Sequence, residues 1–234
     1  MSGLNGLTLA VPRGALMGDT LALLDRLGVD TAEVRSNERR LLFREAGIVT
    51  MRPSDVATYV EAGAAEVGIT GKDVLAEQPE RAVYELLDLR FGPCVMVVAT
   101  TAGDDRLAEA LRRLGVMRVA TKYPRIAARH FERTGRQAEI VEVKGSVELA
   151  PLTGLAEGIV DLTATGSTLR ENGLVVREEI LASTARLIAN PVAHKLKAAA
   201  VDDLVARMRA ALGGGDARGP EARDGDARAR GAAR

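Results

Sequence analysis

The chain has 234 residues, 47% of them apolar, and its 32 basic and 32 acidic side chains cancel. That length allows one large domain or two small ones with proper cores. The balanced charge removes the general electrostatic reason to expect a nucleic-acid or membrane-surface protein, and no apolar run reaches the roughly 18 residues that span a bilayer.

Leu7-Thr8-Leu9-Ala10-Val11 reads as a first strand, closed by Pro12-Arg13-Gly14. A helix with Leu16, Leu23, Leu24 and Leu27 on its apolar side follows and stops near Gly28. Strand, glycine turn and helix open an α/β unit. Arg13 then stands at the carboxyl end of a strand, where open α/β sheets place ligands; the same position also suits a solvated loop arginine. Between Glu33 and Arg52 charge is dense. Leu41-Leu42-Phe43 and Ile48-Val49-Thr50-Met51, separated by Glu45-Ala46-Gly47, predict a hairpin. Arg35, Arg39, Arg40, Arg44 and Arg52 flank it, either as surface residues or, for one or two of them, as a clamp for phosphates.

Pro53-Ser54-Asp55 signals a helix start with Ser54 as N-cap, and the spacing of Val56, Tyr59, Val60 and Ala64 places Tyr59 in the core. Val67-Gly68-Ile69-Thr70 is a short strand that Gly71-Lys72-Asp73 turns into the next helix. Leu86 to Leu89 and Val95 to Thr100 are further strands. The single cysteine, Cys94, cannot form an internal disulfide and is read as a buried structural thiol. With no secretory leader in view, it predicts a reducing, cytoplasmic setting.

A helix with Leu107, Leu111 and Leu114 precedes the strand Arg118-Val119-Ala120-Thr121. Lys122-Tyr123-Pro124 starts another helix, on which His130 is expected to be partly exposed, as is His194 later; neither has metal-ligand spacing. Glu139 to Val143 is a strand. Lys144-Gly145-Ser146 then gives a glycine turn with Ser146 as N-cap, and Pro151 interrupts the helix beyond.

From Glu157 to Leu169, the short apolar run Ile159-Val160 with Leu162 turns through small and hydroxylated residues into a helix start at Thr168. Such a turn gathers backbone N–H groups and hydroxyls in one concavity that accepts a phosphate monoester, and a glycine at Gly166 permits close approach. The same residues also suit an ordinary strand-to-helix turn in which Thr and Ser cap the helix. Val175-Val176 and Arg186 to Ala189 read as strands, and Lys195 to Leu212 as one final helix. After Leu212 no apolar residue larger than Ala or Pro occurs, which predicts a disordered tail over 213–234. Strands alternating with helices, and repeated glycine turns after strands, predict α/β sheets in two lobes around a cleft.

Four stretches carry a resemblance. Arg52-Pro53-Ser54-Asp55-Val56, Val67-Gly68-Ile69-Thr70-Gly71-Lys72-Asp73-Val74-Leu75, Gly145-Ser146-Val147-Glu148-Leu149-Ala150-Pro151 and Asp161-Leu162-Thr163-Ala164-Thr165-Gly166-Ser167-Thr168-Leu169 resemble, in that order, motifs of the ATP phosphoribosyltransferases. The likeness runs from about Leu7 to Leu212 and is to the short, catalytic-only form. It implies a two-lobed, periplasmic-binding-protein-like α/β fold with a cleft, the chain crossing between lobes twice. Residues 1–90 and 182–212 would form lobe I on the ATP side, and 91–181 lobe II, binding phosphoribosyl pyrophosphate (PRPP).

The resemblance further implies a pentosyltransferase that joins N1 of the ATP adenine to C1 of PRPP and releases pyrophosphate, the first step of histidine biosynthesis. Mg2+ would be held mainly by substrate, and no metal ligand is assigned. The implied partners are a regulatory subunit resembling histidyl-tRNA synthetase, in a hetero-oligomer, and a second catalytic subunit in a homodimer. Carried over by position, Arg13, Arg39 and Arg52 would be catalytic and face the ATP triphosphate or the pyrophosphate. Gly71, Lys72 and Asp73 would lie on the ATP side. Asp161, Thr163, Ala164, Thr165, Gly166, Ser167 and Thr168 would hold the 5′-phosphate and ribose of PRPP. The family's Lys-Gly-Arg after the first strand is Arg13-Gly14-Ala15 here, so one positive charge is missing.

Two other functions fit parts of the pattern: a solute-binding module of the same architecture, and a phosphoribosyltransferase for a free nucleobase. The paired acidic residues of the latter group are incomplete, because Leu162 follows Asp161.

Overall fold

The computed structural model describes residues 3–37, 39–103 and 105–213. Its first strand, β1 (Leu9–Pro12), is buried throughout and leads into α1 (Met17–Arg26), which buries Leu21, Leu23 and Leu24. α2 (Ala32–Ser36) precedes the expected hairpin, β2 (Leu42–Phe43) antiparallel to β3 (Ile48–Met51). α3 (Pro53–Glu61) follows at once. Pro53 takes the first helical position, where a missing N–H costs nothing. Arg52, not Ser54, is therefore the N-cap, and Ser54 Oγ bonds to Asp55 Oδ1 at 3.1 Å. Tyr59 is also not core: it is 47% exposed, to one side of the stripe formed by Val56, Ala57 and Val60. β4 (Val67–Gly71), buried at every position, runs straight into α4 (Lys72–Glu77), and β5 (Tyr84–Asp88) follows.

The second half contains β6 (Cys94–Thr101), α5 (Arg106–Leu114), β7 (Met117–Thr121), α6 (Pro124–Arg133), β8 (Ala138–Glu142), α7 (Leu149–Leu152), β9 (Gly158–Thr163), α8 (Ser167–Glu171) and β10 (Leu174–Ser183). Asp105 caps α5 by accepting from the amides of Leu107 and Ala108; Leu107 is buried, whereas Leu114 at the helix end is 73% exposed. Ser146 does not cap α7. Glu148 is its N-cap, without a side-chain bond, and Pro151 lies inside this four-residue helix. β10 is far longer than the expected Val175-Val176, with irregular register against β6 between Val176 and Glu178 and between Glu179 and Leu181. His130 is buried, not partly exposed: its Nε2 lies 3.1 Å from Glu178 Oε2 on β10, with Arg136 on the same carboxylate.

β11 (Ala185–Ala189) precedes two terminal helices, α9 (Pro191–Leu196) and α10 (Ala198–Gly213), where one was expected. Asn190 caps α9 by accepting from the Ala193 amide at 2.9 Å, and the chain breaks at Lys197 (φ −119°, ψ 34°). Gly213 closes α10 instead of opening the tail; the tail expected beyond it falls on 214–234, outside the described residues.

The strands form two sheets, ordered β2-β3-β1-β4-β11-β5 and β10-β6-β9-β7-β8. The chain leaves the first sheet after β5 and returns to it at β11, so it passes between them twice. The two passages lie side by side: Leu89 N–H donates to Ala185 O (2.9 Å) and Ala185 N–H to Phe91 O (3.0 Å). Each sheet is covered on both faces, which is why its central strands are near-continuous apolar runs. In the second sheet Met96 and Val98 meet Phe131 and Val119 on one face, while Val97 and Ala99 meet Ile159 and Leu169 on the other. In the first, Leu9 and Val11 pack with Leu24 and Leu204, and Ala10 with Val56 and Val60. Burying each such Val, Leu or Ile contributes about 1.5–3 kcal/mol.

Candidate active site

Two strand-to-helix turns, one from each sheet, converge on the crossing segments. In the first, β4 enters α4 without a linker. The Asp73 amide donates to Ser183 Oγ at 2.9 Å, and Ser183 Oγ donates back to Asp73 Oδ1 at 2.8 Å. Gly71 is required by this closeness, since a Cβ there would lie 2.2 Å from Asp73 Oδ1. In the second, Thr163 at the end of β9 accepts the Gly166 amide on Oγ1 (2.8 Å), and the Thr165 and Ser167 hydroxyls are 2.9 Å apart. Arg170 Nη1 donates to Thr165 O at 3.0 Å. Gly166 adopts φ +72°, and α8 has no side-chain cap at its start. The hydroxylated residues thus brace the turn itself, leaving Thr165, Ser167 and Thr168 exposed.

Between the turns lies a cavity of about 410 Å³. Ala15, Leu16, Pro53, Gly71, Asp73 and Val74 form its wall on the first lobe and Leu162, Thr163 and Ala164 on the second. Gly92, Pro93 and Cys94 with Ser183 and Thr184, from the two crossings, make its floor. Hollows of about 420 Å³ exist beside Arg118 and Glu157 and beside Asn190 and Lys197, but each is formed within one lobe, away from the carboxyl ends where such sheets bind ligands.

Of the residues expected in the site, Gly71, Asp73, Thr163 and Ala164 line this cavity. Arg13 and Arg52 are not in its lining, but Arg13 lies two residues before Ala15 and Arg52 directly before Pro53, which are; the Arg13 amide donates to Met51 O at 2.8 Å, joining the two segments. Arg39 stands in the turn before β2. The exposed guanidinium groups of Arg39 and Arg52 have no ion-pair or hydrogen-bond partner among the described residues. Lys72 enters by its backbone, donating to Thr184 O at 3.0 Å, while its Nζ pairs with Glu85 Oε2 at 2.6 Å on the edge strand.

Asp161 is buried at the foot of the Thr-lined turn, with Oδ1 accepting the Leu162 amide at 2.9 Å. Burial pushes its carboxyl above the ordinary range, against the pull of Lys122. Tyr123, which nothing in its own segment singles out, stands half-buried near both Asp73 and Asp161. Burial, reinforced by those carboxylates, holds its phenol well above the ordinary value. Ser183 was likewise hidden, being 110 residues from Asp73. Cys94 is only half-buried, in the cleft floor, and desolvation and Asp73 push its thiol up. Among the described residues no group of three or more His, Cys, Asp or Glu is placed to hold a metal ion, and no helix is long and apolar enough to cross a membrane.

The ATP phosphoribosyltransferase family model matches residues 52–210. An ATP phosphoribosyltransferase of Rubrobacter xylanophilus is 53% identical over 210 residues, spanning 88% of this chain and 96% of that protein. One from Anoxybacillus flavithermus is 45% identical over 210 residues, spanning 88% and 95%. Among solved structures, the ATP phosphoribosyl transferase (HisG:HisZ) complex from Thermotoga maritima matches with a TM-score of 0.73 at 33% identity, covering 89% of this chain and 99% of that one. The periplasmic aliphatic sulphonate binding protein SsuA from Escherichia coli shares the fold alone (TM-score 0.58, 13% identity, 88% and 72% covered). The chain therefore belongs to the ATP phosphoribosyltransferase family, pentosyltransferases that condense ATP with PRPP in the first step of histidine biosynthesis.

Proposed function

We propose that ATP and PRPP meet in the cleft between the two sheets, with 1–90 and 182–212 as the ATP-side lobe and 91–181 as the PRPP-side lobe. The observation that carries this reading is the convergence of the Gly71–Asp73 and Thr163–Ala164 turns on one cavity. The turn from Thr163 to Thr168 takes the 5′-phosphate on its amides and hydroxyls, and Asp161 the ribose. Arg13, Arg39 and Arg52 face the triphosphate and the departing pyrophosphate. The apolar wall of Leu16, Val74 and Leu162 suits a flat base.

In the reaction the N1 lone pair of adenine attacks C1 of PRPP while the bond from C1 to the pyrophosphate oxygen breaks, and the electron pair leaves with pyrophosphate. The protein need only align N1 with C1 and stabilise the leaving charge. Ala15 leaves that wall uncharged where an arginine is usual, so Arg13 and Arg52 carry the local positive charge. The oxygen atoms around the turn that a cation could use are the Thr and Ser hydroxyls and the Asp161 carboxylate, with no cluster of carboxylates to hold a metal by themselves among the described residues. That set fits Mg2+ carried in on diphosphate oxygens and completed by water. Bound there, it would neutralise charge on the leaving group.

The match to a chain of the Thermotoga maritima ATP phosphoribosyl transferase (HisG:HisZ) complex supports action with a HisZ-like regulatory partner. A homodimer of catalytic subunits and a cytoplasmic setting complete the proposal. A spectrophotometric assay with ATP and PRPP, run with and without the regulatory subunit, tests it. Product formation from ATP but not from adenine is expected. Turnover with adenine, or an empty Thr165 turn in crystals soaked with PRPP, would overturn it.

A further inference from the structure

Helix α6 starts at Pro124 with Tyr123 as its N-cap, and it has neither a side-chain cap of its own nor an acidic residue in its first turn. The missing cap comes from the other lobe. Glu77, the last residue of α4, accepts the Arg125 amide on Oε1 and the Ile126 amide on Oε2, both at 3.0 Å. Arg129, one turn along α6, donates to the carbonyl of Ala76, and Ala76 packs against the second sheet's core. A carboxylate at a helix N-terminus satisfies orphan donors and opposes the helix dipole.

Both ends of α4 are thereby committed. At its start Asp73 lines the cavity and is locked to Ser183. At its end, about 6 Å on, Glu77 holds the opposite lobe. Gln78 Nε2 adds a bond to Ser54 O at 2.5 Å, beside the Arg52-Pro53 segment. On the far side, the Tyr123 amide donates to Thr121 Oγ1 (2.8 Å), and that hydroxyl donates to Val160 O (2.6 Å), the residue before Asp161. A continuous set of bonds therefore runs from the Asp73 turn through Glu77 and the first turn of α6 to the Asp161 turn.

We propose that Glu77 is a positioning residue: by capping a helix of the opposite lobe it sets the spacing between the two halves of the cleft, and so the gap across which the two substrates must meet. The kinetic consequence rests on the reaction site proposed above; the spacing itself does not. Without the carboxylate the lobes spread, and apparent affinity falls with the fraction of molecules in the competent spacing. Saturating substrates restore that spacing, so turnover is largely retained.

The test compares Glu77→Ala, Glu77→Gln and Arg129→Ala in the full chain. Glu77→Ala is expected to raise KM for both ATP and PRPP by roughly 3- to 30-fold, the range produced by losing an N-cap interaction, with kcat within about 3-fold. Small-angle X-ray scattering of the unliganded protein should give a larger radius of gyration. Glu77→Gln, which keeps one acceptor oxygen, should recover part of both effects. Arg129→Ala should shift both the same way, and it carries the test if Glu77→Ala does not fold. Wild-type KM values, or raised KM with unchanged scattering, would overturn the proposal. If the unaltered chain turned over neither substrate, the site reading would fail while the scattering comparison still decided the role of Glu77.

Discussion

Ser183, on the returning crossing, and Asp73, at the start of α4, bond each other twice, hydroxyl to Oδ1 at 2.8 Å and amide to hydroxyl at 2.9 Å. Both residues are buried, and the pair fixes the helix start that lines the cleft. Ser183→Ala leaves a buried carboxylate oxygen and a buried amide without this partner. The expected cost is about 1–3 kcal/mol, read as a lower urea midpoint at unchanged slope. Ser183→Thr, which keeps the hydroxyl, should lose less. An unchanged midpoint for Ser183→Ala would mean the pair contributes nothing to stability.

Arg52 has the opposite character. It is exposed, has no partner among the described residues, and caps α3 through its backbone alone. Arg52→Ala should therefore leave the melting temperature nearly unchanged. It should lower kcat/KM by one to three orders of magnitude, roughly 1.4–4 kcal/mol of lost transition-state stabilisation. A fully active variant would remove Arg52 from the site.

The alternation of strands and helices was legible because both sheets are covered on two faces, so strands such as Cys94–Thr101 stand out as apolar runs. The two turns were legible as turns because they are local: Gly71-Lys72-Asp73 and Thr163 to Thr168 each lead from a strand into a helix within a few residues. What could not be read depends on residues brought together from afar. His130 is buried because Glu178 and Arg136 cover it, and β10 hides Glu178 in a stretch whose bulges break the two-residue alternation. The floor of the cleft is hidden for the same reason, Cys94 and Ser183 being register partners on the first and last strands, in chain order, of the second sheet. The break at Lys197 lies in an Ala- and Lys-rich run with no Gly or Pro to announce it.

Gly166 offers a test of the phosphate role proposed for its turn. Its φ of +72° disfavours any side chain, and a Cβ there would lie 2.9 Å from Arg170 Nη1, the group that bonds Thr165 O. Gly166→Ala adds about 1 kcal/mol of backbone strain or somewhat more and displaces the end of a flexible arginine from the turn. KM for PRPP should rise by about 5-fold or more, which corresponds to that strain being felt in the turn, while KM for ATP moves little. Equal rises in both constants would place the turn's role elsewhere than at the sugar phosphate.

Acid titration should expose two carboxyl groups of opposite sign. Burial raises the Asp161 carboxyl above its ordinary 3.8, so the folded chain holds that proton more tightly than the unfolded one. Folding is then most favoured below 3.8, and Asp161's contribution is lost as pH rises through the raised value. Asp161→Asn removes this penalty: relative to the unaltered chain it should gain stability as pH rises from 3.8, and gain nothing below it. Glu178 runs the other way. Arg136 lowers its carboxyl below the ordinary 4.5, so its contribution is present above 4.5 and lost as pH falls through the lowered value. Glu178→Gln should therefore be less stable than the unaltered chain at neutral pH, with the gap closing in acid. Urea midpoints measured from pH 3 to pH 7 for the three proteins give both differences directly. A constant offset across that range for Asp161→Asn would mean its carboxyl titrates alike in the folded and unfolded chains.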